Sequence, residues 1–380
     1  MSRWILLIVF FAMSSAWSQP ATDAPGTTPA TPAPADGACA NSSSNSTEEP
    51  DSAESTEAQA AWLRGQNDII KSLANSHDPR MLLAAALHAV PLQLVAPTEL
   101  TTGSSPAVLL SRAQKAGPND PQIWWISAVQ NGGDELIHAR EQAIRRLIEI
   151  VPQNAAIWLL ELDRANAADD VIAGRLAIEH AAKAKYFDDY FMALTATLLR
   201  ASENMPASVL ALYADEAGSN DVTTQKNQRL IMSFSLSLAS AMPGYQALTR
   251  ACDPKLAVSS DTQLHMDCLA ISKLMSDTST SLISQMIGLH LQRKLASDSV
   301  QLADVERQLR NMEWLRLNES RLDYSTNDAS IDRRYQQILD GQSEQDNIRA
   351  HLSDAGVSLE PPEDWKSSRQ AAPSTEANAQ

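Results

Sequence analysis

An all-α fold of stacked antiparallel helix pairs is what this sequence predicts, on three observations. Apolar residues recur at helical spacing from about Ala58 to Leu359, with alanine and leucine abundant and only 13 glycines in 380 residues. No segment shows the Val/Ile/Thr alternation of a half-buried strand. Finally, Pro118, Ile123 and Trp124 return further along as Pro152, Ile157 and Trp158, each shifted by the same interval. That interval, about 34 residues, is the period of a helix–turn–helix unit repeated along a chain.

Residues 1–18 read as a signal peptide. Arg3 supplies the positive start, Trp4 to Met13 is an unbroken apolar run, and Ala16 and Ser18 are small residues suited to cleavage before Gln19. The run is short of the roughly 20 residues a spanning helix needs. No later stretch is long and apolar enough to cross a bilayer, so the expected product is an exported protein, periplasmic or secreted, with no stable membrane insertion. Residues 19–57 form a linker rich in Pro, Ala, Ser and Thr. Between residues 19 and 63 there are seven acids and no Lys or Arg. With so few large apolar residues it cannot bury enough surface to offset its ordering entropy, and a disordered tether is expected.

The body, 58–360, is broken by turn residues at Asp78-Pro79, Pro91 to Pro106, Gly117-Pro118, Asn131 to Asp134 and Val151-Pro152. Further breaks fall at Asn204 to Pro206, Gly218 to Asp221, Pro243-Gly244 and Asp253-Pro254. Between them the pattern is amphipathic. In 135–150, Leu136, Ala143, Ile144, Leu147 and Ile150 share one face, while Glu141, Arg145 and Glu149 alternate sign on the other. The tail, 361–380, is polar and expected to be disordered, apart from Trp365 docking on the last helix.

Residues 105–217 resemble tetratricopeptide repeats, which carry an aromatic near the start of helix A, small residues at the helix crossing and a proline closing helix B. Trp124 to Pro152 has the family's spacing, Ala113 and Ala181 hold small crossing positions, and Met192 stands one further period beyond Trp158. The sequence departs from the family at Ser127-Ala128 and Glu161-Leu162, where a Leu-Gly pair is usual, and at Tyr186, where a proline is usual. The resemblance implies that Trp124 and Trp158 fill the space between helices A and B. It also implies that Trp125, Asp163, Asn166, Tyr190 and Thr197 face a concave groove, as candidate partner-binding residues.

Three cysteines in an exported chain suggest one disulfide with one left over. Cys252 and Cys268 both lie in the helical body and form the natural pair, closing a loop worth about 3 kcal/mol. Cys39 lies in the linker. The formal net charge of −16, from 30 Lys+Arg against 46 Asp+Glu, argues against nucleic acid or anionic lipid as partner, since neither gains from phosphate neutralisation.

No catalytic spacing is present: no His-Glu-x-x-His, no Gly-x-Ser-x-Gly, no phosphate loop and no dinucleotide fingerprint. His265, Asp267 and Cys268 lie within one helical turn, but the disulfide would remove the thiolate. Asp169-Asp170 and Asp188-Asp189 sit where helices start and read as caps. The expectation is a non-enzymatic adaptor or scaffold that binds another protein and carries no cofactor and no metal. The alternative is an envelope glycan- or peptide-acting enzyme, or a small-ligand binder, whose site is assembled only on folding.

Overall fold

A computed structural model describes residues 53–129, 134–203, 205, 222–255, 261–322 and 328–367. Among these are fifteen α-helices and no named strand. They are α1 (Ala53–Ala74), α2 (Pro79–Val95), α3 (Pro106–Ala116), α4 (Pro121–Val129), α5 (Asp134–Ile150), α6 (Ala155–Ala167), α7 (Val171–Ala182) and α8 (Phe191–Ser202). There follow α9 (Val222–Ala241), α10 (Gln246–Ala251), α11 (Thr262–Thr278), α12 (Leu282–Leu295), α13 (Ser299–Glu319), α14 (Asp328–Leu339) and α15 (Glu344–Asp354). The expected signal peptide, most of the linker with Cys39, and residues 368–380 lie outside the described residues. Helix α1 opens at Ala53, inside the stretch expected as linker. Helix α2 also differs from expectation, running through Pro91 to Val95. The missing N–H forfeits one intrahelical bond, and buried Leu87 and Leu92 hold the helix on either side.

The repeated spacing has a physical counterpart. Trp124 donates its indole N–H to the Pro118 carbonyl at 2.9 Å, and Trp158 donates to Pro152 at 2.8 Å. Asp120, Asn154 and Asp188 follow one another at the same period. Each side chain accepts the backbone N–H two residues on, from Gln122 (3.0 Å), Ala156 (3.1 Å) and Tyr190 (2.8 Å). These are capping bonds that satisfy donors otherwise orphaned at helix starts. Neighbouring turns are also linked: Asp188 donates its N–H to Asn154 Oδ1 at 2.9 Å, and Asn154 Nδ2 returns a bond to the Asp188 carbonyl at 2.7 Å. The same side-chain bond therefore recurs before α4, α6 and α8, but the third turn differs, because the left-handed Tyr190 stands between Asp188 and the start of α8.

The helices pack in sequence-neighbour pairs: α2 with α1 and α3, α4 with α5, α6 with α7, α8 with α9, and α11 with α12. A second layer crosses this order. Helix α8 packs on α2, α9 on α4 and α10 on α6, while α7 meets α11. Helix α14 then returns to both α8 and α9. The largest core runs from α1 through α7 into α10, α11 and α12. A second core joins α12, α13 and α15 through Leu289, Val305, Leu309, Met312, Leu315 and Ile348.

The C-terminal segment packs further than its composition suggests. Trp365 lies edge-on to Trp314 at 5.4 Å, and Arg310 donates to the Trp365 carbonyl at 3.0 Å and to that of Pro362. The docking helix is α13, not the last helix. Arg310 and Trp314 stand one turn apart there, offering a donor fork and an aromatic face together.

Two covalent or steric constraints fix the α10–α12 region. Cys252 and Cys268 are bonded with Cα atoms 5.7 Å apart, tying the end of α10 to α11. Gly288 lets α12 cross α11 at backbone contact: a Cβ there would stand 2.6 Å from the Ser272 carbonyl oxygen and 2.8 Å from the Ser276 nitrogen. Gly174 on α7 is different, since its Cβ would meet nothing closer than 3.6 Å. Gly288→Ala should therefore destabilise the fold by about 1–3 kcal/mol through overpacking. Gly174→Ala should stabilise it by about 0.5–1 kcal/mol through helix propensity. Urea unfolding midpoints of the two variants, moving in opposite directions from the parent, are the check.

Candidate functional site

The five residues expected in a groove divide into two sets. Trp125 is 0% exposed, donates its indole N–H to the Ala241 carbonyl at 2.9 Å and packs on Tyr190 with ring centroids 5.6 Å apart. Tyr190 and Thr197 are buried as well, and Thr197 shares hydrogen bonds with Gln122 at 3.1 and 3.2 Å. These three line the interior seam between α4 and the second layer, so a groove role for them is corrected. The cause is topological: α8 and α9 cover the face of α4 that an open repeat would leave free. Asp163 and Asn166 remain at the surface, where Asp163 pairs with Arg140 at 2.6 Å. Trp158 is only partly buried and stacks on His180 at 4.3 Å.

The densest polar cluster lies where the starts of α8, α10, α12 and α15 converge. Asp189, fully buried, accepts the Phe191 N–H on Oδ1 at 3.2 Å. Its Oδ2 accepts hydroxyls from Ser281 and Ser284, each at 2.5 Å, and from Tyr245 at 3.4 Å. Ser281 caps α12 by accepting the Ser284 N–H, so one carboxylate joins three helix starts. Glu344, first residue of α15, accepts the Leu282 N–H at 2.7 Å, while its own N–H donates to the Thr280 carbonyl at 2.8 Å. Helix starts carry partial positive charge, and that is what makes buried carboxylates tolerable here. Tyr190 stands beside them at φ 55°, a left-handed conformation costing about 1 kcal/mol for a non-glycine residue. The Asp188 cap and the Trp125 contact hold it there.

Burial pushes the carboxyl of Asp188 up to about 6, with Asp189 adding to the rise and the Tyr190 N–H opposing it. Burial likewise raises Glu344 to about 7; the Leu282 N–H opposes this, as does Arg334, while Glu319 and Asp189 add to it. Both groups hold their proton more tightly folded than unfolded. They support the fold fully in acid and withdraw that support as pH climbs through about 6 and about 7. His88 has the opposite sign. Buried between α1 and α2 near Gln66, it is driven down to about 4 by desolvation, so its support is present above its ordinary pKa and fades as pH falls through about 4. Ser281 and Ser284 are fully buried, and their hydroxyls bond to Asp189 and to each other, so neither faces solvent.

The cluster of His265, Asp267 and Cys268 is likewise committed elsewhere. Asp267 pairs with Arg175 at 2.7 Å, and Cys268 is in the disulfide. Among the described residues no group of three or more His, Cys, Asp or Glu could hold a metal ion, and no helix is long and apolar enough to cross a membrane.

What faces solvent is the first half of α7. Val171 is 82% exposed, Ile172 76% and Leu176 50%. Asp170 caps this helix by accepting the Ala173 N–H at 2.9 Å, after a left-handed turn at Asp169. On α11, the helix tied to α7 by Arg175, Met266 is 57% exposed. Two β-branched residues exposed in the first turn of a helix contribute nothing to its propensity or its core. The sequence carried only part of this signal: Ile172 falls outside the period of the buried Gly174, Ile178 and Ala181, whereas Val171 is in phase with them and is exposed by its place in the first turn.

Neither a protein-family model, nor a curated protein, nor a solved structure matches this chain.

The carboxyl junction makes a pH-dependent prediction. The parent protein should lose stability between pH 5 and pH 8. Glu344→Gln, which keeps an acceptor for the Leu282 N–H but carries no charge, should match the parent at pH 5. At pH 8 it should exceed it by about 1–2 kcal/mol, a figure discounted for the partial exposure of the carboxyl. Urea titrations across that range read the difference directly.

Proposed function

We propose that this chain is an exported, non-catalytic helical-repeat protein that acts as an adaptor or scaffold by binding another protein. The observation that carries the reading is the exposed apolar face of α7, where Val171 at 82%, Ile172 at 76% and Leu176 at 50% exposure lie within six residues of one helix. Large side chains left in water at that density are characteristic of protein-binding surfaces. The signal-like segment 1–18 supports delivery of the body to the periplasm or beyond. The tetratricopeptide resemblance supports the same reading through the reused turn.

A second reading, an enzyme acting on envelope glycans or peptides, draws on Asp188 and Glu344, whose carboxyls hold protons close to neutrality. General acids are tuned in this way. Under that reading Asp188→Asn and Glu344→Gln would abolish turnover of such substrates without affecting capture of a partner.

Two outcomes are expected. Intact mass of the protein recovered from its native compartment should correspond to a chain beginning at Gln19; a chain that retains Met1–Ser18 would refute cleavage. Affinity capture from envelope extracts should enrich a partner that the double variant Val171→Asp, Ile172→Asp loses. Capture undiminished by the double variant would refute the assignment of the surface.

A further inference from the structure

The chemistry around the α7 face narrows what can sit on it. The nearby cations are already engaged: Arg140 with Asp163 at 2.6 Å, Arg164 with Glu161 at 2.6 Å, Arg175 with Asp267 at 2.7 Å and Lys183 with Glu179 at 2.5 Å. Asp169 and Asp170, immediately before Val171, take part in no ion pair among the described residues. The apolar anchors therefore rise from an acidic rim on a chain whose net charge is −16. A second copy placed face to face would bring that rim against itself, and like charges so juxtaposed oppose association. A phosphate-bearing surface meets the same repulsion.

We propose that the α7 face receives a lysine- or arginine-rich amphipathic helix of another protein. Its apolar residues would cover Val171, Ile172 and Leu176, and its basic flanks would neutralise Asp169 and Asp170. This rests on the adaptor reading and names the chemistry of the partner. An amphipathic helix supplies apolar anchors at three- and four-residue spacing, matching a face built from one exposed helical stripe. The charge pairing would steer encounter and select against acidic partners, while the apolar contact would supply most of the affinity.

The test uses the mature chain and three fluorescein-labelled helical peptides. One has leucine on one face and lysine on the other; the second replaces each lysine by glutamate, and the third replaces each leucine by serine. The Lys–Leu peptide should bind, and the Glu–Leu and Lys–Ser peptides should bind at least about tenfold more weakly by anisotropy. Ile172→Asp decides between the two forces. It adds a negative charge, so attraction by charge alone would strengthen, whereas loss of the anchor should weaken Lys–Leu binding about tenfold. Aspartate in the first turn suits a helix start, so the variant keeps the fold. Equal or tighter Lys–Leu binding by Ile172→Asp, or equal binding of the Glu–Leu peptide, would overturn the proposal. So would a parent dimer in sedimentation that Ile172→Asp dissociates. If Ile172→Asp abolishes partner capture from extracts while the parent ignores the Lys–Leu peptide, this inference fails and the adaptor reading stands. Capture undiminished by Ile172→Asp would refute the assignment of the surface to α7, and this inference with it.

Discussion

The Asp189 carboxylate is the interaction on which the relative placement of the helices depends. It belongs to the turn that opens α8, yet its acceptors are filled by Ser281 and Ser284 of α12 and by Tyr245 at the start of α10. These groups are far apart in sequence, so the contact specifies a return of the chain that local propensity could not. Removing a hydroxyl would leave a buried charge short of a partner, which costs more than the bond contributes when made. The arrangement is tolerable because four helix starts point towards it, and Glu344 and Asp188 share the same positive field. Burial, with Asp189 adding to it, raises the protonation of Asp188 and Glu344.

That junction also terminates a simpler order. The reused turn at Asp120, Asn154 and Asp188 sets one helix pair after another, each indole or capping bond repeating its predecessor. Arg80 extends the line backward, because it donates to Asp120 at 2.8 Å while Asp78 accepts the Arg80 N–H at 2.8 Å. After Asp188 the pattern changes. Helix α8 folds over α2, and α9 over α4, instead of continuing the row. The left-handed Tyr190 is the local expression of this change: it redirects the backbone between the third turn and α8.

Much of the frame was legible in the sequence because it rests on local signals. Turn prolines, the amphipathic face of Ala143, Ile144 and Leu147, and the capping Asp170 all act over short stretches of chain. The pairing of Cys252 with Cys268 needed only their proximity and the oxidising setting inferred from the signal. What could not be read was anything decided by the second layer. Trp125 has the spacing of a groove residue, and nothing near it in sequence announces that Ala241 will accept its N–H. Trp365 was recognisable as a docking residue, but its site on α13 depends on Arg310 and Trp314, much earlier in the chain. Asp189 looked like a second cap, and it does bond the Phe191 N–H. Its interhelical role emerges only once α10 and α12 are in place.

The second layer also determines where a partner could bind. In an open stack the inner A-helix face is the natural binding surface, which is why Trp125, Tyr190 and Thr197 share a register. Here that face is used for folding, and its aromatic and hydroxyl groups are taken up by α8 and α9. On the proposed adaptor reading, binding falls to a surface that this closure leaves open. Helix α7 carries one: α6 and, from the second layer, α11 cover two of its sides, and the side carrying Val171, Ile172 and Leu176 stays in water. On that reading, the exposed side of one helix would meet the side of a single partner helix rather than enclose a peptide. The same closure that buries Trp125, Tyr190 and Thr197 thus leaves the exposed side of α7 as the surface on which the adaptor proposal rests.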